Sequence, residues 1–284
     1  AGDSEDDFSR AQFNMQDNTL AQSADNNYED PEMQKISYDQ AEAVLVTQAQ
    51  QLMVTYQQSG YTMENLNRAK DLLNTQYEAA KARQSVGAAT AVDVLNAQKS
   101  VQDQEAAILS TQKSIDNVHR TLCLMLGWSA DAQPEILPVP EPDLARIDGM
   151  NPDADLETAI ANNYTIRYNE KKLGNLTSDR LIESTKATIQ STKNSVASGL
   201  KAQYNTVLTA RDSLATAQAQ LASSKADLDT MAAKLAVGSA TSLQYQSAEN
   251  VYVTAKNSVE TAKLQLFLAM ENYDWIVKGL VSSN

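Results

Sequence analysis

Two stretches decide the fold: "SVGAATAVDVLNAQKSV" at 85–101 and "AVGSATSLQYQSAENVY" at 236–252. Both run Val-Gly-x-Ala-Thr and then change into a helical pattern. Glycine takes the left-handed conformation that ends a helix without a Cβ penalty, so Gly87 and Gly238 read as helix stops. Three residues later Thr90 and Thr241 read as N-caps, with Asp93 and Gln244 at the N3 positions. Thr-x-x-Gln is a capping box, and Thr-x-x-Asp is a shorter-armed relative. Each motif therefore predicts the tip of a helical hairpin, with a stop, a short link and a new start.

Seven-residue periods extend from both tips. Upstream of Gly87 the series is Tyr38, Leu45, Leu52, Ser59, Leu66, Leu73 and Ala80. It passes Ser59-Gly60 without a phase change, which favours one long helix, with a hairpin at "SGYT" as the alternative. Downstream come Val94, Val101, Ile108, Ile115 and Leu122, ending at "LMLGW", where Gly127 reads as a C′ glycine and Trp128 as its packing partner. Prolines at 134, 138, 140, 142 and 152 mark a non-helical connector, followed by a short helix, "LETAIANNYTIRYNEKKL". From about Asp179 to Ala236 only Gly199 interrupts the helical pattern, and Leu200, Val207, Leu214, Leu221, Leu228 and Leu235 keep strict sevens. At ~1.5 Å per residue such a helix runs near ~90 Å.

Past Gly238, large residues (Tyr245, Tyr252, Val259, Leu266, Tyr273) alternate with small ones three places later (Ala248, Ala255, Ala262, Ala269) and Ile276. That is a large-small a/d seam, in which alanine lets neighbouring helices approach closely. The expectation is an all-α, elongated, duplicated chain of long antiparallel helical hairpins with coiled-coil packing. Its parts are a flexible acidic lead at 1–35, a first hairpin repeat at 36–128, a Pro-rich connector at 129–152, and a second repeat at 153–284.

Composition narrows the function. Of 284 residues only 6% are aromatic, which suits thin helical layers better than a broad core. A net charge of −13 repels phosphate backbones and anionic membranes, which argues against nucleic-acid partners. No apolar run approaches the ~20 residues of a membrane-spanning helix. The single cysteine, Cys123, excludes an internal disulfide framework. His119 and Cys123 stand four apart on one helix, a spacing open to two metal ligands, yet no further His or Cys exists to complete a set. The tyrosines at 245, 252 and 273 read as seam fillers, Trp275 as a packing anchor and "GDSEDD" as a solvated tail. No Ser/His/Asp set or phosphate loop emerges, so the chain reads as a non-enzyme without cofactor or metal.

Residues 77–128 and 231–280 together resemble the TolC-like outer-membrane efflux proteins, the Val-Gly-x-x-Thr…Asp-Val-Leu-x-Ala string being the most specific feature. "LETAIANNYTIRYNEKKL" is similar to the helix that begins that family's second repeat, so the likeness covers roughly 36–280. The resemblance implies an exported component of an efflux assembly, in the periplasm or at the extracytoplasmic cell surface. It also implies a homotrimeric tunnel whose tips meet a membrane-fusion adaptor linked to an inner-membrane transporter. On that likeness Val86, Gly87, Thr90, Val237, Gly238 and Thr241 form the adaptor-facing tips, and Asp93 is a gate-lining carboxylate. Two departures stand out. Gln244 occupies the place of Asp93 in the second copy, which halves any carboxylate ring. The family's β-hairpins have no room either, since only "GNLTSD" separates the short helix from the long one and the lead shows no alternating strand. A barrel-less chain is therefore expected. A non-transport exported coiled-coil scaffold or surface-interaction protein is the alternative, and a lipid-binding amphipathic protein fits the narrow seams and acidic charge less well.

Overall fold

The computed structural model describes residues 29–280. Within them lie seven helices and no strand: α1 (Pro31–Ser85), α2 (Ala91–Met125), α3 (Ala145–Gly149), α4 (Pro152–Asn162), α5 (Tyr164–Asn175), α6 (Asp179–Ala236) and α7 (Ser242–Val277). The expected pairing of long helices about two short breaks is present. The lead before residue 29 lies outside the described residues. Helix α1 starts at Pro31, inside the stretch read as lead, because Asp30 caps it: its Oδ1 accepts from the Met33 N–H at 2.9 Å. The helix then continues through Gly60 without a hairpin. The connector is helical only at the short α3.

Contacts divide the chain into two units. One combines the described parts of Ala1–Thr47 and Glu271–Asn284 with Asp148–Asn205; the other combines Gln48–Ile147 with Thr206–Met270. In the first unit Val196 and Leu200 of α6 are fully buried, as is Tyr273 of α7. In the second, Val207 and Leu214 continue the α6 stripe, and Val259, Leu266, Ala255, Ala262 and Ala269 form the large-small seam of α7. Each Val or Leu removed from water in this way stabilises by about 1.5–3 kcal/mol.

The heptad of α1 needs correction. Tyr38 is 74% exposed and Leu45 54% exposed, while Met33, Ile36 and Ala43 are buried instead. Here α1 lies against α5: Asn175 Nδ2 donates to Asp30 Oδ2 at 2.9 Å and sits 3.7 Å from Met33 Sδ, and Lys171 pairs with Glu32 at 2.5 Å. That neighbour turns the apolar stripe away from the Tyr38–Leu45 line.

The short helix read at "LETAIANNYTIRYNEKKL" is two helices, divided at Asn163. This residue is 2% exposed; its Oδ1 accepts from the Ile166 N–H, capping α5, and its Nδ2 donates to the Gly279 carbonyl at 3.1 Å. Gly279 has φ +107°, and a Cβ there would stand 2.1 Å from the Asn162 carbonyl oxygen. The α4–α5 break thus clamps the end of α7. Asn163→Ala should lower stability by about 2–4 kcal/mol, combining a lost cap with unsatisfied buried backbone groups. Asn162→Ala, which removes one exposed bond to the Val277 carbonyl, should cost under about 1 kcal/mol. Urea denaturation of both variants checks the ranking, and equal shifts would contradict the clamp.

Candidate docking tips

Both tips form as the motif predicts. Gly87 has φ +75° and Gly238 φ +71°. In the first tip the Ala88 N–H donates to the Arg83 carbonyl and the Gly87 N–H to the Gln84 carbonyl. In the second, Ser239 donates to Lys234 and Gly238 to Leu235 in the same arrangement. These paired bonds are the Schellman closure, which satisfies the last carbonyls of α1 and α6. The next helix then starts on a reciprocal box. Thr90 Oγ1 accepts from the Asp93 N–H at 3.1 Å while Asp93 Oδ2 accepts from the Thr90 N–H at 2.8 Å. Thr241 and Gln244 repeat it at 3.2 and 2.8 Å.

With these groups of the turn paired locally, the side chains at the apex face water. Val86 is 77% exposed and Val237 78%. Around the first tip Val92 and Leu95, both 62% exposed, enlarge the apolar surface; around the second, Leu243 is half-buried. Sequence reasoning missed Val92 and Leu95 because they lie off the Val94–Leu122 seam. The signal was a second series on the opposite face of α2: Val92, Leu95, Ala106 and Leu109.

Bonds between α1 and α7 fix how the tips relate. Asn257, 3% exposed, donates to Glu64 Oε2 and Asn65 Oδ1; Asn250 donates to the Arg68 carbonyl; and Arg68 pairs with Glu249 at 3.7 Å. Partners advance along α1 from Asn65 to Arg68 while they retreat along α7 from Asn257 to Asn250, so the two helices are antiparallel. Helix α1 runs towards Gly87 and α7 runs away from Gly238. Both tips therefore lie at one end of this unit, and a rise of ~1.5 Å per residue puts the first roughly 5–12 Å beyond the second.

The electrostatics of the two boxes differ. Hydrogen bonds from the Thr90 backbone, then from its side chain, hold the Asp93 carboxyl below its ordinary value of 3.8. Gln244 is neutral at any pH. A carboxylate with a depressed folded pKa contributes stability above its ordinary pKa, and that contribution is lost as pH falls through the lower folded value. Amide exchange on acidification through and below pH 3.8 should therefore show the first turn of α2 opening before that of α7. Simultaneous opening would contradict this, and Asp93→Asn should remove the difference.

Elsewhere the chemistry is sparse. Cys123 Sγ lies 3.9 Å from His119 Nδ1 beside an open, polar cavity of about 700 Å³ lined by Tyr56, Asp116, Arg120 and Asp131 among others. Among the described residues no three His, Cys, Asp or Glu side chains are grouped to hold a metal. A second, largely apolar groove of about 510 Å³ lies between α1, α6 and α7, lined by Leu72, Leu73, Val251 and Ala255.

No family model matches this chain, and no curated protein is similar to it in sequence. Solved structures are similar in fold. The chain resembles CusC, described in terms of transmembrane channel formation, at TM-score 0.67 and 13% identity over 95% of this chain and 89% of that one. It resembles the outer membrane protein VceC of Vibrio cholerae at 0.57 and 14%, over 93% and 75%. The outer-membrane channel OprN gives 0.61 and 13%, over 88% and 69%. The described residues thus have the fold of the helical domain of TolC-like outer-membrane efflux channels.

Proposed function

We propose that this chain is the TolC-like component of an exported efflux assembly, whose two hairpin tips dock a membrane-fusion adaptor that links it to an inner-membrane transporter. The observation that carries this reading is the pair of tips. They have one construction, both end in an exposed valine, and they lie at the same end of one unit. A hairpin turn needs a glycine and a cap, but it needs no apolar side chain in water at its apex. Two of them presented together form a repeated surface, and adding Val92 and Leu95 makes the first tip the larger contact. The solved structures of similar fold are channels, which supports a physical, non-catalytic role. No helix among the described residues is long and apolar enough to cross a membrane.

Self-assembly into the homotrimer of this architecture has its own support. Helix α2 exposes Val92, Leu95, Ala106 and Leu109 opposite its buried face. Helix α6 exposes Ala215, Ala219, Ala222, Ala226 and Ala233 on a face about 120° round from the Leu214–Leu221 stripe, in spacings of three, four and seven. A strip of large side chains on α2 fits a strip of alanines on α6 of a second copy, and two different faces pairing head to tail generate a ring. In that ring Asp93 contributes one carboxylate per copy near the entrance, held in place by its bonds to Thr90.

The test separates the two surfaces. Val86→Asp with Val237→Asp should abolish co-purification with the adaptor of the same cell while helicity by circular dichroism and mass in solution stay unchanged. Leu95→Glu with Leu109→Glu should reduce the mass of the wild-type oligomer to that of one chain. Adaptor binding that survives the tip substitutions would overturn the docking role, and a chain that is monomeric at high concentration would overturn the ring.

A further inference from the structure

The tips account for the helical repeats but leave the connector unused. Its centre reads Ile136-Leu137-Pro138-Val139-Pro140-Glu141-Pro142. Each proline fixes its own φ near −65°, and each residue before a proline is driven to extended backbone. Leu137, Val139 and Glu141 all precede prolines, so the segment favours extended backbone of the polyproline II kind, a helix of three residues per turn. Burial follows that period. Ile136, Val139 and Pro142 are half-buried against the body of the unit, while Leu137, Pro138, Pro140 and Glu141 are exposed, Leu137 at 64%. One edge of the helix thus rests on the protein and the other two face water.

The segment is also fastened. Gln57 Nε2 of α1 donates to the Leu137 carbonyl at 3.1 Å, and Lys263 Nζ of α7 donates to Glu141 Oε1 at 2.9 Å. A second carboxylate, Glu260, holds the same ammonium. Simple spanning of a gap between repeats does not require Leu137 and two prolines to be held outward in water on a rigid strap. We infer that residues 136–142 form a docking ligand for a partner domain that reads polyproline II in an aromatic-lined groove. Two edges of such a helix are what a groove of that kind grips, and a strap already ordered loses little conformational entropy on binding. Glu135, Glu141 and Asp143 flank the exposed edges, on a chain of net charge −13, so the rim of the partner's groove is basic. This surface stands apart from the tips and does not rest on the adaptor reading.

The probes are isotope-labelled SH3-type, WW-type and EVH1-type domains with basic-rimmed grooves, each titrated with the full chain and followed by NMR. At least one should show saturable shifts confined to its groove aromatics. Leu137→Asp and Pro140→Ala should each weaken that binding at least tenfold, and Val86→Asp at the distant tip should leave it unchanged. Circular dichroism should be unaltered in the strap variants, because the substitutions lie outside every helix. No groove shift with any of the three domains at millimolar chain would overturn the proposal, as would shifts undiminished in the Leu137→Asp, Pro140→Ala double variant.

Discussion

A helix of 35 to 58 residues that buries one narrow stripe cannot hold itself together in water; it needs an antiparallel neighbour in register. The chain reversals at Gly87 and Gly238 supply that neighbour, and everything else follows from them. A left-handed glycine closes the last turn, a threonine opens the next helix three residues later, and no loop slack is left over which the register could drift. The alanine seam of α7 and the Val207–Leu214 stripe of α6 are both buried as a result. The turn closes on its own hydrogen bonds, and its apical valines reach solvent.

Directional polar bonds join the helices of the second unit alongside its apolar seams. Within the first hairpin Gln104 Nε2 donates to the Leu66 carbonyl at 2.8 Å and Lys70 pairs with Glu105 at 3.7 Å. Between hairpins, near the tips, α1 and α7 meet through Asn257, Asn250, Glu249, Arg68, Glu64 and Asn65. Hydrogen bonds of this kind add little net stability, but they are directional, so they set the relative height of the two tips. The buried Asn257 is the strictest of them, since a shift of α7 by one turn would strand its amide.

What was legible in the sequence was whatever depends on local geometry. The hairpin ends, the continuous α1, the α6 stripe and the large-small seam of α7 all follow from glycine, capping and period seven. Period counting finds one face per helix, and that is where it fell short. Helix α7 has two neighbours, so Val253, Asn257 and Leu264 are buried off the Tyr252–Val259 line as well. Tyr38 and Leu45 keep the period yet lie outside, because α5 rather than the expected seam decides which stripe of α1 is covered. Asn163 looked like one more polar residue inside a helix; only the approach of Gly279, distant in sequence, makes it a cap and a clamp. Of the tip residues, the glycines and threonines were legible through their backbone roles, whereas the exposure of Val92 and Leu95 depends on which face α1 covers.

The central claim is that the two tips stand side by side, and a distance between them tests it most directly. Nitroxide labels at Val86 and Val237 disturb nothing, since both side chains are already in water. Labelled chains would be diluted in unlabelled ones so that only distances within one chain are read by pulsed electron spin resonance. With helix axes ~8–10 Å apart and the tips offset by roughly 5–12 Å, the separation should centre below roughly 30 Å. A separation beyond about 60 Å, as hairpins pointing in opposite directions would give, would contradict the account.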